Sequence, residues 1–96
     1  MILIITKQTK DFSMLPDALQ IQDVVHFIDD FHIEYQEKTI EFDYLICDNI
    51  DLLKSLQKTN ILLDPDPVCN FFGQTSLEHI YVGDLDVAVD HLINGD

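Results

Sequence analysis

The chain contains no arginine, and its cationic side chains are five lysines set against eighteen aspartates and glutamates. The formal net charge is −13 over 96 residues. A surface this acidic repels nucleic-acid phosphates and anionic lipid headgroups, and without guanidinium groups it offers no bidentate clamp for a phosphorylated ligand. Affinity for DNA or RNA rests on cations that neutralise the phosphate backbone, so direct nucleic-acid recognition is excluded on the same count. Glycine is also scarce. Gly73, Gly83 and Gly95 are too few and too scattered to form a P-loop or a dinucleotide fingerprint. No apolar run approaches the ~20 residues that a membrane-spanning helix needs. The opening stretch Met1–Thr6 has no basic flank and no cleavage site, so it does not read as a signal peptide. The expectation is a cytoplasmic protein with no membrane contact.

Catalytic and metal-binding signals are equally thin. Cys47 and Cys69 sit in apolar runs, where a thiol is reduced, shielded and unreactive. Together with His26, His32, His79 and His91 they form no C-x-x-C, no H-E-x-x-H and no other short ligand spacing. Asp64-Pro65-Asp66 and Asp84-Leu85-Asp86 do not continue into a calcium loop with its central glycine and terminal glutamate. Ser13, Ser55 and Ser76 lack the context of an activated nucleophile. With eighteen acids, carboxylate pairs arise by chance and carry no signal. No catalytic residue, cofactor or metal ligand is assigned, and the chain is not expected to be an enzyme.

What the chain does have is enough apolar surface to fold. Hydrophobic residues make up 47% of it and mean hydropathy is slightly positive, which argues against disorder in spite of the self-repulsion. The length suits one compact domain over residues 1–96. Residues 2–6 read as a short buried strand and Ser13–Ile21 as a short helix, with Pro16 in its first turn. Val24–Ile28 reads as a second strand. From Phe31 to Tyr44 apolar and polar residues alternate. Folding back at Glu37-Lys38 pairs Tyr35 with Ile40, Ile33 with Phe42 and Phe31 with Tyr44, an antiparallel hairpin with one apolar face.

The second hairpin strand is read as running on through Leu45-Ile46-Cys47. A helix capped by Asp48 follows, with Leu52, Leu53 and Leu56 inward, and then a strand at Ile61–Leu63, which completes a βαβ unit. Asp64–Pro67 is an extended turn. Gln74–Ser76 is expected to cap a short helix with Leu77, Ile80 and Tyr81 inward. A final helix, capped by Asp84 and carrying Leu85, Val89, Leu92 and Ile93, is expected to stop at Gly95. These elements add up to a small α/β domain, with a mixed sheet of four to five strands, a β-hairpin, one βαβ unit and a C-terminal helix.

Phe42–Asp48, an apolar strand ending in aspartate, resembles the third strand of response-regulator receiver domains over about twenty residues. The resemblance implies phosphoryl transfer to Asp48. The first strand, however, ends in Thr6-Lys7, where receivers place an acidic pair for magnesium, and the chain is short for five βα units. Read from the residues themselves, Asp48 is a helix cap.

The excess of carboxylates points to a non-enzymatic acidic protein that masks a basic surface on a protein partner, in the manner of inhibitors, immunity proteins, antitoxins, anti-defence proteins and nucleic-acid mimics. The expected contact residues are Asp29, Asp30, Glu34, Glu37, Glu41, Asp43, Asp64 and Asp66. Of these, Glu34, Glu41 and Asp43 would share the polar face of the hairpin as one negative patch. The alternative is a small structural or regulatory subunit that associates through an apolar surface such as Phe71-Phe72 or a sheet edge, possible homodimers included.

Overall fold

The first strand explains the architecture. In β1 (Ile2–Ile5) every residue is aliphatic, the pattern of a parallel strand covered on both faces. Its side chains divide between two cores. Leu3 and Ile5 join one with Leu45, Cys47 and Ile80, while Ile4 joins the other with Ile46 and Tyr81. In the computed structural model, which describes residues 1–13 and 15–94, β1 lies inside a four-stranded parallel sheet. The sheet also contains β2 (Ala18–Ile21), β6 (Tyr44–Cys47) and β8 (Ile80–Val82), in the order β2-β1-β6-β8.

A second sheet covers one face. It comprises β3 (Val25–Phe27), β4 (His32–Tyr35), β5 (Lys38–Glu41) and the two-residue β7 (Leu53–Lys54), in the order β5-β4-β3-β7. Val25, Phe27, Ile33 and Phe42 meet Leu3, Ile5 and Leu45 between the sheets. On the other face lies α1 (Leu85–Asn94), which presents Leu85, Ala88, Val89 and Leu92 at helical spacing to Ile4, Ile46 and Tyr81. Asp84 caps it, its Oδ1 accepting from the Val87 N–H at 3.1 Å. The chain is a small α/β fold of three layers: mixed sheet, parallel sheet, helix.

The strand at residues 2–6, the strand around Val25, the hairpin and the Asp84-capped helix are present. Gly95, expected to end that helix, lies outside the described residues, as does Met14. The hairpin register differs by two residues. Ile33 faces Ile40 and Tyr35 faces Lys38, around a Gln36-Glu37 turn in which both residues have left-handed backbones (φ 50° and 63°). A two-residue turn of this kind matches the twist of its strands, which the longer loop centred on Glu37-Lys38 would not. A shift of two preserves the faces, so Ile33, Tyr35, Ile40 and Phe42 still point inward.

Three expected helices do not form. Ala18–Ile21 is a strand because β1 has an open edge there: the Ile2 N–H donates to the Asp17 carbonyl at 2.9 Å and the Thr6 N–H to the Ile21 carbonyl at 3.1 Å. Asp17 has φ 53°, a conformation no helix interior accepts. After β6 the chain makes two single 3-10 turns, Ile50–Leu52 and Leu56–Lys58, separated by β7 and by Ser55 at φ 63°. Leu53-Lys54 instead pairs with the free edge of β3, so tertiary pairing overrides local helix preference. The βαβ unit is therefore absent as drawn. The parallel neighbour of β6 is β8, not Ile61–Leu63, whose Leu63 makes only an isolated bridge to Pro67. Thr75, itself buried, folds residues 75–80 into a tight loop, its single Oγ1 proton shared between the Leu77 and Ile80 carbonyls, 3.0 and 2.9 Å away. That loop delivers Ile80–Val82 as a strand. The single sheet expected from the sequence is two, because the chain changes sheets at Phe42-Asp43 between β5 and β6.

Candidate functional site

The eight carboxylates expected to contact a partner do not form one surface. Asp29 and Asp30 occupy the β3–β4 connection and bind it internally. Asp29 Oδ1 accepts from the Phe31 N–H and from His32 Nδ1, both at 2.8 Å. The Phe31 N–H, and after it His32, hold the Asp29 carboxyl below the usual carboxylate range. Asp30 accepts from the backbone and side-chain amides of Asn60, at 2.8 Å each. Glu34 and Glu41 do share the outer face of the mixed sheet. They alternate there with cations and imidazoles: His26 lies opposite Glu34, Lys54 opposite His26, and His32 opposite Glu41. Glu37 is at the hairpin turn, and Asp64 and Asp66 are exposed on the proline loop.

Asp43 is not on this face. It stands at the start of β6 in the other sheet, paired with the Met1 ammonium. The expected patch of Glu34, Glu41 and Asp43 is therefore split by the change of sheet. What does converge is Asp29, His32 and Glu41, with His32 Nε2 3.4 Å from Glu41. The Asp29 hydrogen bond, with help from Glu41, raises the His32 pKa above its ordinary value.

Asp48 directly follows β6 but caps no helix. Its Oδ2 accepts from Thr6 Oγ1 at 2.9 Å and from Gln8 Nε2, while Asn49 caps the following 3-10 turn through the Asp51 N–H at 3.0 Å. The Asp48 carboxylate is thus held by neutral donors from the β1–β2 connection. Among the described residues no group of three or more His, Cys, Asp or Glu side chains is arranged to hold a metal ion. Burial pushes the Cys47 thiol up to about 12, and partial burial raises Cys69 as well. Neither is primed as a nucleophile.

A broad concavity lies where none was expected, at the amino ends of the parallel strands. The residues that precede β2, β1, β6 and β8 are Asp17, Met1, Asp43 and His79, and because the strands are parallel all four reach one edge. There they help to line a groove of about 930 Å³ together with Phe31, Tyr44, Glu78, Tyr81 and His91. Its walls are fixed. His79 stacks on Phe31 at 4.4 Å with the rings 9° apart, and its Nε2 lies 2.6 Å from the Asp30 carbonyl. His91 lies 2.7 Å from the Tyr81 hydroxyl and stacks on Phe72 at 4.0 Å.

Phe31 and Tyr44, expected on the inner hairpin face, are instead 49% and 40% exposed. His79, just before β8, and His91, on α1, are both partly buried. The signal that locates the groove is present in the sequence: each of its strand-end residues stands directly before an apolar run. It becomes readable only once Ala18–Ile21 and Ile80–Val82 are taken as strands. No family model matches the chain, and neither a curated protein nor a solved structure matches it.

Proposed function

We propose that this chain is a non-enzymatic acidic protein that binds a basic surface of a protein partner, as inhibitory, immunity, antitoxin or anti-defence proteins do, and that it works in the cytoplasm. The observation that supports the reading is the lack of internal compensation. Among the described residues, Lys10–Asp86 is the one lysine–carboxylate ion pair, and the five lysines leave a net charge of −13 whose field reaches the solvent. Such a field accelerates encounter with a cationic surface and discriminates against acidic ones. Two free cysteines, one buried and one exposed, suit a reducing compartment.

The test is affinity capture from the native cell with elution along a salt gradient. A basic protein should elute at moderate salt, and its affinity, remeasured with purified components, should fall steeply as salt rises. A complex indifferent to salt would refute the electrostatic reading.

A second reading rests on a different feature. Phe71 is 98% exposed and Leu62 59%, and the Val68 N–H donates to the Leu62 carbonyl, which sets another exposed apolar side chain beside it. These residues favour a structural or regulatory subunit that associates through apolar contacts. Sedimentation separates the two readings: a homodimer stable in both low and high salt supports the second, a monomer the first.

A further inference from the structure

The groove at the amino ends of the parallel strands combines two features that serve one kind of occupant. Asp17, Asp43 and Glu78 make it anionic, with the Met1 ammonium held between the first two. Carboxylates alone would mark only an anionic surface. Here Phe31, with one ring face covered by His79, and Tyr44 are partly exposed among them, and the His79 and His91 rings are held by stacking and hydrogen bonds. A planar cation suits such a lining, because guanidinium stacks on aromatic faces and bonds carboxylates through a rigid fork. A compact, strongly hydrated ammonium uses only the charge. A second copy of the chain is disfavoured, since it brings another −13 and no arginine.

We propose that this groove seats an arginine side chain of the basic protein partner, with the exposed Phe71-Phe72 turn beside His91 receiving the partner's neighbouring apolar residues. The inference rests on the basic-partner reading and adds to it a location and a side-chain preference. The rim matters because Phe71 is almost wholly exposed while Phe72 packs on His91. Aromatic residues are enriched at the cores of interfaces, and arginine is among the residues that dominate their binding energy.

The probe is a capped hexapeptide carrying two arginines, compared with the same peptide carrying two lysines or two citrullines. It is titrated into the isotopically labelled chain at low salt and followed by amide chemical shifts. The expected shifts concentrate on Tyr44, His79, Tyr81 and Phe72, with the arginine peptide binding more tightly than the lysine peptide and the citrulline peptide not at all. The double variant Asp43→Asn/Glu78→Gln should weaken binding about tenfold, while Asp23→Asn/Asp51→Asn, which removes the same charge at exposed residues beyond the carboxyl ends of β2 and β6, should weaken it less than about twofold. Glu78→Gln alone, at an exposed residue outside the core, repeats the test without touching the Met1 pair.

Equal weakening by the two double variants, with shifts dispersed over the surface, would overturn the groove and leave the basic-partner reading standing. So would equal affinity for the lysine peptide, or shifts at the groove caused by dimerisation without peptide. Failure of both cationic peptides to bind at low salt would overturn the groove and the basic-partner reading together.

Discussion

Replacing Phe42 with alanine tests the packing that defines this fold. Phe42 is 1% exposed, lies where the chain leaves the mixed sheet for the parallel one, and meets Phe27 edge to face at 6.3 Å and 77°. Truncating a buried phenylalanine removes its transfer free energy and opens a cavity, together costing about 3–5 kcal/mol. For a domain of this size, total stability is about 5–15 kcal/mol, so the variant loses a large share of it. With a urea slope of about 1.5 kcal/mol/M, the unfolding midpoint falls by about 2–3 M. Urea denaturation followed by far-ultraviolet circular dichroism measures this directly. Phe71→Ala, at a residue 98% exposed, supplies the control and should move stability by no more than about 0.5 kcal/mol. A loss below about 1 kcal/mol for Phe42→Ala would mean that the two sheets do not meet at this side chain.

The hairpin turn makes a finer prediction. Because Glu37 has φ 63°, Glu37→Gly should stabilise the chain by about 0.5–1 kcal/mol, whereas Lys38→Gly, inside β5, should destabilise it by a similar amount; paired thermal melts read the sign. His32, held by Asp29, should titrate above 6.5 in nuclear magnetic resonance, and Asp29→Asn should bring it down. Because its folded pKa is raised, the stability it contributes is complete below the unfolded value and is lost as pH rises through the folded one. A thiol reagent should modify Cys69 in the native protein and Cys47 only after unfolding; labelling of both at equal rates would contradict the buried position of Cys47.

The parts of the fold that were legible in the sequence are those where a single local pattern decides. The alternation from Phe31 to Tyr44 identified a hairpin and four of its six expected inward residues, because a pleated strand has a strict period of two, whereas Phe31 and Tyr44 lie outside its strands. Asp84 followed by Leu85, Val89 and Leu92 identified the last helix, because cap and stripe agree. The two-residue register shift was hidden because Gln36-Glu37 lacks the asparagine or glycine that usually announces a left-handed turn. The three unformed helices share another cause. Ala18–Ile21, Leu53-Lys54 and Ile80–Val82 are strands because distant edges of β1, β3 and β6 take them up, and no local spacing encodes a distant edge. The site followed the fold. Asp43 appeared to extend the hairpin face as long as β5 and β6 were one strand, and the groove emerged only when four strand starts were placed side by side.

The central claim is that the uncompensated negative charge serves to hold a basic protein. Its most direct test is the dissociation constant of the captured partner across sodium chloride from about 50 mM to about 500 mM, a range over which the screening length falls from about 14 Å to about 4 Å. The account predicts a continuous loss of affinity, at least about tenfold over the range, carried mainly by a slower association rate. An affinity that holds constant or strengthens with salt would contradict it and leave apolar association as the explanation of how this chain meets its partner.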